Sequence, residues 1–163
     1  MSRFFETVVE RINRETKALE AFCAELDKNP SEKKARIAEY KCAKYRYAGA
    51  TAVWCMFFHS HRVRVRNAEN HYLIPEVNEV FVQNKEYVAI YDSAPDDEKL
   101  DYGLYYGVRA FAEGEIAKLE SRLPTASDWE KIELSQRIQG LSQGIACLDG
   151  AWQERGDGDE GKA

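Results

Sequence analysis

A chain of 163 residues, 44% hydrophobic and 31% charged, is long enough to bury a core without disulfide staples and too balanced for global disorder. Its formal net charge of −5 argues against generic, tight nucleic-acid binding, because long-range repulsion opposes it. The densest apolar run, Ala48 to Phe58, contains Gly49 and Thr51 and is shorter than a membrane span, and Glu6, Glu10 and Arg11 interrupt any signal-peptide core, so a cytoplasmic location is expected.

Residues 2 to 27 predict an amphipathic helix, with Phe5, Val8, Ile12, Leu19, Phe22 and Leu26 at helical steps and charged residues on the other faces. Asn29-Pro30 ends it. The same dipeptide starts a second helix, with Asn29 as N-cap, Pro30 in the first turn and Glu32 at the third position. That helix is expected to run through Ile37, Tyr45, Ala48, Ala52 and Met56. Its small residues from Ala48 to Ala52 would let a neighbouring helix approach closely. From His59 the period changes. Arg62-Val63-Arg64-Val65-Arg66 alternates strictly, and Asn67 to Asn70 separates it from Tyr72-Leu73-Ile74, which predicts a small β-hairpin over residues 62–74. Residues 77–91 fit either β-rich segments or a helix opened by Pro75, with the helix slightly favoured.

Ser93 to Glu98 combines a cap, an early proline and acids at the positive end of the dipole, and so starts a helix that should reach Pro124. Ser127-Asp128-Trp129-Glu130 is a capping box. After it, Leu134, Ile138, Leu141, Ile145, Leu148 and Trp152 step by four and three as a heptad seam. Gly103 with Gly107, and Gly140 with Gly144, predict tight helix packing inside the bundle or across a homodimer, since helical glycine costs about 1 kcal/mol relative to alanine. The sequence thus predicts a mainly α protein: one domain over 1–153, a compact bundle of four to five helices, and a disordered acidic tail over 154–163.

Catalytic chemistry finds little purchase. No Glu-x-x-His, phosphate loop or Gly-x-Ser-x-Gly turn occurs, and no cofactor signature is present. Cys55 and His59, four apart on one helix, are the best metal pair, with His61 and His71 within reach of a hairpin; they fall short of a four-ligand zinc site. Cys23, Cys42, Cys55 and Cys147 form no Cys-x-x-Cys pair and are expected as free thiols in apolar surroundings.

Charge is sorted along the chain. Residues 28–66 hold ten Lys/Arg and two acids, whereas residues 67–101 hold nine acids and two lysines. Such blocks suit an interaction surface, or a basic element packed beside an acidic one. The expectation is a non-catalytic protein that docks on a protein or nucleoprotein partner as an inhibitor or regulator. Lys41, Lys44, Arg46, Arg62, Arg64 and Arg66 would form its basic face, and Glu76, Glu79, Asp96, Asp97 and Glu98 an acidic one. Carboxylates of 69–101 would then imitate nucleic-acid phosphates, as small phage or mobile-element proteins that block host nuclease complexes do; this is an analogy of role. Two alternatives remain at this level. Arg62, Arg64 and Arg66, roughly 6.8 Å apart on one side of a strand, together with nearby tyrosines, would bind RNA or single-stranded DNA. A small metal-dependent or hydrolytic enzyme would use Cys55, His59 and His61.

Overall fold

The computed structural model describes residues 3–66 and 73–160. Among the described residues the chain is almost entirely helical, with seven α-helices and no strand. They are α1 (Arg3–Asp27), α2 (Pro30–Ala35), α3 (Ile37–Arg66), α4 (Pro75–Phe81), α5 (Lys85–Asp92), α6 (Lys99–Arg122) and α7 (Asp128–Glu160), with 3-10 turns at Asp96–Glu98 and Leu123–Thr125.

The helix count exceeds the four to five expected because two segments are each divided. At Arg36 the backbone leaves the helical basin (φ −115°, ψ 29°) and its N–H turns back to Glu32 and Lys33, which ends α2 and lets α3 begin. Pro75 opens α4 as anticipated, but Asn84 starts a separate helix by accepting the Tyr87 N–H at 3.1 Å. The caps at Asn29 and Ser127 form as the sequence implies, taking the N–H groups of Glu32 and Glu130 at 3.3 Å each.

The β-hairpin is corrected. Residues 62–66 are the last turn of α3 and not a strand. Alternation over five residues competes poorly with an established helix, to which each added residue brings a hydrogen bond without a new nucleus. Val63 also packs against the core from that helix. The expected turn at Asn67 to Asn70, with Tyr72, lies outside the described residues; Leu73 and Ile74 are buried ahead of α4 without strand pairing. Helix α7 continues through Glu160, and its Glu154 and Arg155 are engaged, the first with Arg11 at 2.9 Å and the second with Glu98 and Asp101.

Helices α3 and α7 run parallel and make the most extensive helix contact. Glycines set their separation. A Cβ on Gly140 would sit 2.1 Å from the Arg46 carbonyl oxygen, one on Gly49 would sit 2.3 Å from that of Arg137, and one on Gly144 would strike Val53. Helices α1 and α6 run antiparallel to this pair: Phe5 stacks on Phe57 while Glu20 accepts from Tyr47 at 2.6 Å, and Asp149 accepts from Tyr105 at 2.6 Å while Glu98 meets Arg155. Helix α4 lies along α6, where Leu73 and Val77 fill the space over Gly107. Phe4, Val8, Ile12, Val53, Phe57, Leu104, Val108, Leu141 and Leu148 are the solvent-free centre. The heptad leucines of α7 and the glycines Gly107, Gly140 and Gly144 are therefore occupied within the chain.

Gly140→Ala should lower stability by about 1–3 kcal/mol through overpacking, outweighing the roughly 1 kcal/mol that alanine contributes to helix propensity. Gly156, which has nothing within 4 Å of an added Cβ, should instead gain from the same change. Urea unfolding of both variants reads the two signs.

Candidate docking site

Helices α1 and α7 touch where Phe4 meets Trp152, with ring centroids 5.2 Å apart, and where Arg11 reaches Glu154. Farther along, towards the start of α7, a groove of about 580 Å³ opens between them. Its floor is Ala38, Cys42, Ala43 and Arg46 of α3, and its walls are Ala18, Leu19 and Phe22 of α1 and Gln136 and Gln139 of α7. A depression of about 260 Å³ between Arg11, Arg14 and Glu15 on one side and Gln143, Ala146 and Cys147 on the other continues the same line.

Three buried polar atoms lining this path have no hydrogen-bond partner: Nε of Arg46 and the Oε1 atoms of Gln136 and Gln143. An unmet buried polar group costs about 1–3 kcal/mol, and all three atoms belong to side chains along this path. The nearest lining acid, Glu39, is already held by Arg36 at 2.7 Å, and that guanidinium keeps its carboxyl below the usual range. Cys147 is no nucleophile at neutral pH, because burial pushes its thiol up to about 11.

The same end carries an apolar rim. Trp129 is 58% exposed, Ile132 42% and Ile37 41%, three of the four large hydrophobic side chains exposed among the described residues. Trp129 and Ile132 lie within the first two turns of α7, on the stripe that continues to Gln136 and Gln139. The Nζ of Lys41 is 5.0 Å from the Trp129 ring centre, and that of Lys44 is 5.4 Å from Tyr40.

Of the basic residues singled out from the sequence, Lys41, Lys44 and Arg46 gather at this end. Arg62 is exposed sixteen residues further along α3, about 24 Å up its axis at 1.5 Å per residue. Arg64 and Arg66 belong to the last turn of the same helix, and the strand on which the three arginines were expected is not formed there. Lys33 and Arg36 are taken by Asp27 at 2.9 Å and by Glu39. On the acidic side Glu76 and Glu79 are exposed on α4, Asp96 and Asp97 are exposed in the turn before α6, and Glu98 is held by Arg155. Cys55 lines a separate pocket of about 340 Å³ with Thr16, Tyr47 and Trp54, while His59 is exposed. The His61 ring stacks 3.8 Å from Phe5, and burial lowers its pKa. His71 lies outside the described residues. Among the described residues no group of three or more His, Cys, Asp or Glu is placed to hold a metal ion, and no helix is long and apolar enough to cross a membrane.

The most heavily perturbed cluster was not anticipated. Arg109 forks onto Asp149, with Nε to Oδ1 at 3.0 Å and Nη2 to Oδ2 at 3.1 Å, and its Nη1 meets Glu113 and the Tyr87 hydroxyl. Tyr105 and Tyr87 donate to Asp149 and Glu113. The pairing with Asp149 raises the Arg109 pKa, and burial raises those of both tyrosines, that of Tyr87 to about 12. Its members satisfy one another across α5, α6 and α7, which is a structural clamp. Only the Arg109–Glu113 spacing of four was visible in sequence; Asp149 is forty residues away.

No protein-family model matches the chain, and neither the search of curated proteins nor that of solved structures returned a match.

The clamp has a pH signature. The fold favours the neutral phenol of Tyr87, so its contribution is complete below the ordinary value of 10.0 and is lost as pH rises from there through about 12. The stability advantage of the wild type over Tyr87→Phe should therefore shrink across that window, read by urea unfolding at stepped pH.

Proposed function

We propose that this chain is a non-catalytic interaction protein that docks on a protein partner through the end where α3 and α7 begin, acting as an inhibitor or regulator. The observation that carries this is the exposed pair Trp129 and Ile132 beside Lys41. Burying a half-exposed tryptophan in a partner's pocket supplies affinity of the kind that dominates interfaces, where aromatic anchors ringed by weaker contacts hold most of the energy. Lys41 and Lys44 make no ion pair among the described residues, and such rim charges steer encounter with an acidic surface more than they add affinity.

Direct binding of RNA or single-stranded DNA loses its geometric support, because Arg62 stands on a helix far from Lys41 and Lys44. Imitation of nucleic-acid phosphates by the acidic residues is weakened by the engagement of Glu98 with Arg155.

Trp129→Ala should weaken a complex recovered from native lysate by at least about tenfold, since truncating such an anchor costs about 2 kcal/mol or more. Lys41→Glu with Lys44→Glu should mainly slow association and remove its salt dependence. Both variants should keep the wild-type melting temperature, because the altered side chains are exposed. Undiminished recovery with all three changes combined would refute the assignment.

A further inference from the structure

The docking end continues into the α1–α7 groove, and resting on the docking reading we infer that this groove receives an amphipathic α-helix of the partner, with a carboxylate on that helix set against Arg46. Four observations lead there. The first is charge: Arg46 lines the floor, its Nε is buried without a partner, and the guanidinium has no carboxylate within 4.0 Å among the described residues. An incoming Asp or Glu would pair with it in a charge-assisted bond, which no acid among the described residues makes.

The second is shape. The floor residues Ala38, Cys42 and Ala43 are small, so an approaching helix axis can come close to α3. The path from Gln136 to Cys147 advances eleven residue steps along α7, about 16 Å or three helical turns. The third is backbone chemistry. The surrounding elements are helices whose main-chain groups are satisfied internally, so they offer no sheet edge to an extended peptide. A helical ligand satisfies its own backbone and needs only side-chain contacts. The fourth is continuity: the α7 stripe that begins with exposed Trp129 and Ile132 continues as Gln136, Gln139 and Gln143, two of them with buried unpaired carbonyl oxygens. Apolar residues of the partner helix would cover the rim, and its donors would meet the glutamines.

The test uses the full chain and a displayed library of 18-residue amphipathic helices, apolar on one stripe and randomised elsewhere. Sorting on the wild type should yield binders enriched in Asp or Glu at one position. Ala18→Trp replaces an exposed side chain on the groove wall with a bulky ring and should cut their binding more than tenfold while the melting temperature holds. Sorting on Arg46→Glu should reverse the preference to Lys or Arg at that position. Absence of any binder would overturn the inference, and so would binders indifferent to Ala18→Trp or the same acidic sequences emerging on Arg46→Glu. Binders lost with Trp129→Ala but kept with Ala18→Trp would sink the groove while leaving the docking reading in place.

Discussion

The parallel contact between α3 and α7, made backbone to backbone at Gly49 and Gly140, is the constraint from which the rest of the architecture follows. With no side chain between them the two helices pack as one body, and their N-terminal ends stand side by side. Two positive helix ends in proximity need compensation, and Glu39, Asp128 and Glu130 in the first turns provide it. Lys41, Lys44 and Trp129 are then presented together. Helix α1, antiparallel to both, meets α7 at one end and leaves the groove over α3 at the other.

Charge segregation along the sequence turns out to have two destinations. Part is spent inside the fold: Lys33 on Asp27, Arg36 on Glu39, and Arg155 on Glu98 and Asp101. The first two, on largely exposed side chains, contribute little to stability, typically 0–1 kcal/mol, whereas Arg155 and Asp101 are mostly buried; all of these pairs remove their groups from the surface field. Lys41 and Lys44 at one end, and Glu76, Glu79, Asp96 and Asp97 on α4 and the turn before α6, remain exposed without an ion pair among the described residues. Arg109 belongs to neither block. It is the hub that ties α5, α6 and α7 together through Asp149, Glu113 and two tyrosines.

Local chemistry was legible in the sequence, and relations between distant segments were not. Asn29-Pro30 and Ser127 to Glu130 announced helix starts because capping is decided within four residues, and the periods of α1 and α7 found Phe5, Val8, Ile12, Leu26, Leu134, Leu141 and Leu148 of the core, whereas Leu19 and Phe22 line the groove instead. The glycine pairs announced close packing but not their partners, Arg46, Ala50, Val53 and Leu73. The alternation of Arg62 to Arg66 misled because it is a local pattern at the end of a long helix, where propagation outweighs it. Of the site itself, Lys41, Lys44 and Arg46 were visible as charges. Trp129 read as part of a capping box, and the groove was invisible, since it arises from how α1 crosses two helices far from it in sequence.

On the proposed reading, the paired starts of α3 and α7, not the acidic flank of α4, form the working surface. Amide hydrogen exchange on the full chain, with and without the partner recovered alongside it, tests this most directly. Added protection is expected over Ile37 to Arg46 and Trp129 to Gln143, with Pro75 to Phe81 unchanged. Protection confined to α4 and the turn at Asp96–Glu98 would contradict it.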